Sequence, residues 1–200
     1  MSHAVDGDHP IHEILANRWS PYGFSDRAVS DEDICSLFEA ARWAASSYNE
    51  QPWSYVVATQ RDKAMFERLL SCLVEGNQGW AGKAHVLALA IASLNFSRNG
   101  APNGCAHHDL GLAAGNLCAE ATARGVAVHQ MAGILPDRAR ELYQIPDGHE
   151  AVTALAIGYA GNPSNAPDEI KQRDSAPRQR RKLSEFVFGG LWGSPLDVVS

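Results

Sequence analysis

Paired cysteines are missing from this chain. Its four cysteines, Cys35, Cys72, Cys105 and Cys118, show no Cys-x-x-Cys spacing, which excludes a dithiol redox motif and a zinc ribbon. They read as reduced thiols, two or three of them core filler. No apolar run approaches the roughly 20 residues of a helical membrane span, and the best candidate, His85 to Leu94, is about half that. An excess of positive charge is also missing. With 17 basic against 23 acidic residues and a net charge of −6, a general electrostatic footprint for nucleic acid or anionic membrane is excluded, so neither is expected as a partner. Met1 to Pro10 holds Asp6, Asp8 and two histidines but no apolar stretch. No signal or transit peptide is expected there, and the expected location is cytoplasmic. No internal repeat or low-complexity tract occurs.

What is present is 200 residues at 45% apolar and 20% charged, enough for one globular domain or one subunit of an interlocked pair. Helical spacing of Ile11, Ile14 and Leu15 predicts a helix over His9 to Asn17, stopped by Pro21 and Gly23. Ser30 is a predicted N-cap, with acids in the following turn and Ile34, Leu37, Phe38, Ala41 and Ala45 on one buried face. Tyr55 to Thr59 reads as a strand. Asp62 caps a helix to about Leu73, and Gly76-Asn77-Gln78-Gly79-Trp80 is expected to break it. His85 to Ala92 is apolar without alternation, as in a central strand covered on both faces. Asp109 to Arg124 predicts a long helix with a small-residue face, ended by Gly125. Val126 to His129 and Val152 to Tyr159 are further strands, with a helix from Pro136 through Tyr143 between them. Beyond Gly161 the chain is polar, with a basic knot of Arg178, Arg180, Arg181 and Lys182. An apolar tail, Phe186-Val187-Phe188 and Leu191-Trp192, then needs something to pack on, and a second copy of the chain is the expected surface.

Ser46-Ser47-Tyr48-Asn49-Glu50-Gln51-Pro52-Trp53 joins the alanine-rich helix to the first strand. Pro52 has no N–H and turns Gln51 away from helical angles. From the residues alone the stretch is either a polar connection over a tryptophan or a wall offering amides and hydroxyls to a flat polar ligand. Arg18-Trp19-Ser20 is a second polar loop, in which a guanidinium and a hydroxyl can donate to one anion. Cys105-Ala106-His107-His108-Asp109 invites a metal reading. Adjacent histidines do not easily share one ion, and the second ligand pair of a structural site is missing, so no metal is expected.

Arg18-x-Ser20, Ser46-Ser47-x-Asn49-x-Gln51-Pro52-Trp53, the Asn77 loop, the helix after Asp109, Ala132-Gly133 and the late basic knot follow one another in the order found in the nitroreductase family of FMN-dependent NAD(P)H oxidoreductases. The chain resembles that family from about Arg18 to Phe188. The resemblance implies an α+β fold with a central mixed, mostly antiparallel sheet flanked by helices, in an intertwined homodimer with a C-terminal arm. It implies an N-terminal segment and first helix over 1–17, one FMN-binding domain over 18–188 and a tail over 189–200. Arg18, Ser20, Arg180 and Lys182 would hold the FMN phosphate, with Arg181 as a possible substitute and Trp19 beside them. Ser46, Ser47, Asn49 and Gln51 would line the flavin ring across the dimer, Asn77 would bond its pyrimidine edge, and the Ala132 and Gly133 backbone would approach N5. No protein residue is implied as a catalytic group, because the flavin carries the chemistry. NADH or NADPH would be the donor, and a nitroaromatic, quinone or similar small electrophile the acceptor, in a ping-pong exchange.

Two departures bear on reactivity. Tyr22 stands where a basic residue is frequent, and Gln78-Gly79-Trp80 lacks a cation often found there. Loss of such cations lowers the flavin potential unless Lys83 or a helix N-terminus compensates. The alternative is a catalytically weak flavin-binding or interaction protein on the same fold.

Overall fold

The computed structural model describes residues 7–162 and 166–199. Helices α1 (Glu13–Asn17) and α2 (Asp31–Arg42) precede strand β1 (Trp53–Thr59). Next come α3 (Lys63–Leu70), α4 (Glu75–Ala81), β2 (Val86–Ser93), α5 (Ala106–Ala123), β3 (Ala127–Met131), α6 (Pro136–Tyr143), β4 (His149–Gly158) and α7 (Asp168–Ser175). The strands form one sheet in the order β1-β2-β4-β3. The expected mostly antiparallel sheet is present, and every pairing among the described residues is antiparallel.

β2 shows why the sheet sits between two helical layers. Val86, Ala88, Ala90 and Ala92 join one core with Leu37 and Ala41 of α2 and Leu110, Ala113, Leu117 and Ala121 of α5. The alternate residues Leu87, Leu89 and Ile91 join a second core with Phe66, Leu69, Trp80 and Ala139. Successive side chains of a strand point to opposite faces, so an unbroken apolar run serves both cores at once. The alanines of β2 and α5 meet on the same side, which lets the helix lie close to the sheet.

Local signals hold where they are strong. Ser30 Oγ accepts the Asp33 N–H at 3.0 Å, and Asp62 Oδ1 accepts that of Met65 at 3.0 Å, each satisfying an otherwise orphaned donor. Several expectations shift. The first helix begins at Glu13 rather than His9, because the His12 side chain caps it by accepting the Ile14 N–H. α5 begins at Ala106, where Asn103 takes the N–H groups of Cys105 and Ala106 on its side-chain and main-chain oxygens. Gly76 to Trp80 does not break the chain; it is the body of α4. Glycine's poor helix propensity is overridden by burial of Trp80 and Ala81 and by the Asn77 and Gln78 amides, which bond the Gly133 and Leu73 carbonyls. Finally, α7 forms within the polar stretch. It carries Glu169–Arg173 and Asp168–Lys171 pairs, and Asp174 accepts the N–H groups of Tyr22 and Gly23 at 2.8 and 2.9 Å. Among the described residues, no helix is long and apolar enough to cross a membrane.

Candidate functional site

Within one chain the residues singled out above fall into three groups. The first gathers around the end of α1. Arg18 follows the last helical residue and donates through Nη1 to Ser20 Oγ at 3.2 Å. Trp19 between them is half-buried. From the opposite end of the sequence, Arg178 reaches back and donates to the carbonyls of Arg18 and Ala16, both at 2.6 Å. That clasp brings the basic knot onto α1. Arg18, Arg178, Arg180, Arg181 and Lys182 line a cavity of about 900 Å³ together with Leu15, Leu183 and Phe186. Asp8 is the one acid in that lining among the described residues. Burial, reinforced by the like charges of Arg18 and Arg180, holds Arg178 below the usual guanidinium range. Like charges gathered this way repel one another unless an anion joins them.

The second group is Asn77 with Gly133. The Asn77 amide donates to the Gly133 carbonyl at 3.1 Å, and the same oxygen accepts the Val74 N–H at 3.1 Å. A side chain at Gly133 would meet Asn77 Nδ2 at 2.6 Å and Val74 Cγ2 at 2.8 Å. Asn77 is presented by the first turns of α4 rather than by a loop. Ala132, beside Gly133, is exposed. Close by in sequence, the His129 ring lies against Tyr22 and Trp80, with centroids 4.6 and 4.4 Å away, and its Nδ1–H donates to the Pro21 carbonyl at 2.9 Å. Burial, the largest cause, lowers the His129 pKa, so the ring is neutral over a wider range than usual. Tyr22 therefore serves as an aromatic brace, and the Arg173 guanidinium of α7 lies 4.9 Å from its ring centroid.

The third group is Ser46 to Gln51. Ser47–Asn49 forms one 3-10 turn, and Tyr48, Asn49 and Gln51 have φ of 55°, 57° and 52°. Only one other described non-glycine residue, Gln144, has positive φ. Such conformations cost of order 1–3 kcal/mol each and persist where the surroundings over-determine them. Here Ser46 Oγ accepts the Gln51 N–H at 3.0 Å, and Gln51 Nε2 donates to the Asn49 carbonyl at 3.1 Å. The Glu50 carboxylate takes the Ser97 N–H at 2.6 Å, and Arg98 lies 4.2 Å over the Tyr48 ring. The buried Asp109 accepts the Ser47 N–H at 2.9 Å.

Asp109, the Arg178 clasp and α7 are what the sequence did not assign to the site. Each acts over a long separation, 62 residues for Ser47 and Asp109 and 160 for Arg18 and Arg178. Local spacing carries no sign of such contacts. α7 alone had a local signal, in the acids after Pro167 and the Glu169–Arg173 spacing.

A sequence model of the Nitroreductase family matches residues 15–159, and the chain belongs to that family. An uncharacterized 15.4 kDa protein of Mycolicibacterium smegmatis is 34% identical over 131 residues, 66% of this chain and 86% of that one. The major NAD(P)H-flavin oxidoreductase of Aliivibrio fischeri is 26% identical over 219 residues, 90% of this chain and 98% of the relative. Among solved structures, an oxidoreductase containing FMN superposes with a TM-score of 0.88 at 31% identity, covering 94% of this chain and 96% of its own.

Proposed function

We propose that this protein is an FMN-dependent oxidoreductase that uses NADH or NADPH to reduce small electrophilic acceptors such as nitroaromatics and quinones. The observation that carries the reading is the convergence of Arg18, Arg180, Arg181 and Lys182 on one cavity, with Ser20 bonded to Arg18. The residues present fit FMN. A phosphate is an anion suited to this cluster, since guanidinium forks and an ammonium are the donors it takes. The Asn77 amide, held on the Gly133 carbonyl beside the exposed Ala132, offers a fixed polar group to the edge of a flat ring. The relatives named for NAD(P)H-flavin oxidoreduction and for FMN support the same choice.

Arg18, Ser20, Arg180, Arg181 and Lys182 hold the phosphate in this reading, with Trp19 alongside. Ser46, Ser47, Asn49 and Gln51 form a wall for the ring, Asn77 bonds its edge, and Ala132 and Gly133 lie nearest its reactive side. FMN, when bound, supplies hydride acceptance from the nicotinamide and donation to the acceptor. The protein positions both partners and sets the electrostatics around them.

The wall belongs to a second copy of the chain, in a homodimer. The tail supports this: Trp192 is 93% and Leu191 76% exposed, and Phe186 is half exposed. Apolar side chains so presented are a contact surface in search of cover. On this division 1–17 is a leading segment, 18–188 the FMN-binding domain and 189–200 the tail. The enzyme works in the cytoplasm.

The test is the visible spectrum of purified protein, with flavin absorption near ~450 nm expected, followed by anaerobic addition of NADH or NADPH. Protein that takes up no FMN overturns the proposal. Bound flavin that neither nucleotide bleaches favours the weakly catalytic alternative, which the aromatic packing of Tyr22 in place of a cation supports.

A further inference from the structure

The strained stretch Ser46 to Gln51 is held by many hydrogen bonds, but they differ in what they tie it to. Asn49 N–H to Ser46 O, Glu50 N–H to Ser47 O, Gln51 N–H to Ser46 Oγ and Gln51 Nε2 to Asn49 O all lie within the stretch itself. They define its shape without fixing its place. Glu50 and Tyr48 reach Ser97 and Arg98, which are exposed residues of another loop. The Asp109 carboxylate differs in kind. Asp109 is only 2% exposed, sits in the first turns of the 18-residue helix α5 and is flanked there by the core residues Ala106, Leu110 and Ala113. Its Oδ2 takes the Ser47 N–H at 2.9 Å. An acceptor on a buried scaffold gives a better-placed bond than one at the surface.

We infer that Asp109 is a positioning residue for the cofactor wall: through the Ser47 N–H it fixes where the left-handed stretch stands, and so governs FMN binding without touching the cofactor. This rests on the reading above, in which Ser46 to Gln51 lines the flavin. A site held on a rigid element is more exact than one held by loop on loop, and here one hydrogen bond makes that transfer. Without it the positive-φ residues lose a constraint from the core, and the conformations they occupy become one set among several.

The test compares wild type, Asp109→Asn and Asp109→Ala by amide exchange of the 43–53 segment, by FMN affinity of the apoprotein and by visible circular dichroism at saturating FMN. The Asn variant keeps an oxygen that can accept the Ser47 N–H, whereas Ala keeps none. Asp109→Ala is expected to speed Ser47 exchange and weaken FMN binding roughly tenfold, the scale of one lost hydrogen bond. It should also alter the flavin dichroism, and Asp109→Asn should recover most of each effect. Should Asp109→Ala fail to fold, Asp109→Leu removes the same acceptor while filling its buried place. Faster exchange with unchanged FMN affinity and dichroism would overturn the assignment alone. Wild-type protein that binds no FMN would overturn the functional reading and this inference with it.

Discussion

Replacing Gly133 by alanine tests how tightly the second group of site residues is built. A Cβ there would lie 2.6 Å from Asn77 Nδ2 and 2.8 Å from Val74 Cγ2. The two neighbours can yield to different degrees. The Asn77 amide can swing aside, at the cost of its 3.1 Å bond to the Gly133 carbonyl, about 1 kcal/mol. Val74 is β-branched and has little χ1 freedom, and its N–H is bonded to the same carbonyl, so backbone must move instead. Overpacking of this kind costs about 1–3 kcal/mol, or a Tm lower by about 2–4 °C for each kcal/mol in a chain of this size. Urea unfolding of wild type, Gly133→Ala, Asn77→Ala and the double variant supplies the cycle. The double variant should lose less than the sum of the singles, by about 0.5–1 kcal/mol, because one collision disappears with the amide while Val74 remains. Strict additivity, or a Gly133→Ala protein as stable as wild type, would show that the two residues do not meet as described.

Arg18→Ala and Lys182→Ala should each weaken FMN retention by about 10- to 100-fold, the range for one charge-assisted bond, and unchanged flavin content after dialysis would remove them from the phosphate site. Deleting Glu185 to Ser200 should shift sedimentation from dimer towards monomer, since it removes the exposed Phe186, Leu191 and Trp192; a stable dimer of normal flavin content would refute the tail's role. His129 and His85 both have pKa values lowered from 6.5, with burial the largest cause. Between their folded values and 6.5 the unfolded chain binds more protons than the folded one, so stability is complete above about pH 6.5 and falls as the pH drops through that window. Urea unfolding from pH 8 downward should show this loss, with a smaller slope in His129→Gln; a slope unchanged by that substitution would exclude His129 as a contributor.

Much of the architecture is legible in the sequence. Caps at Ser30 and Asp62, the strand after Pro52, the two-faced apolar run of β2 and the alanine face of α5 are local patterns, and local patterns survive folding when burial agrees with them. Gly76 to Trp80 departs from its local pattern for the complementary reason. Two glycines argue against a helix, but Trp80 and Ala81 have a core to fill, and tertiary burial outweighs a propensity of about 1 kcal/mol per glycine. The polar α7 has little local signature because it buries no apolar stripe of its own and is held by Asp174 on the backbone of Tyr22 and Gly23.

By itself the sequence determined the class of fold, the strands and most of the helices, and the motif residues of the candidate site, because periodicity, capping and motif order are properties of neighbours along the chain. The tertiary structure alone decided which of those residues meet. Arg178 clasps α1, Asn77 closes on Gly133, and a carboxylate on α5 holds Ser47. Each joins donor to acceptor across 56 to 162 residues, a choice made by packing of the sheet between its two helical layers and written in no local stretch of the chain.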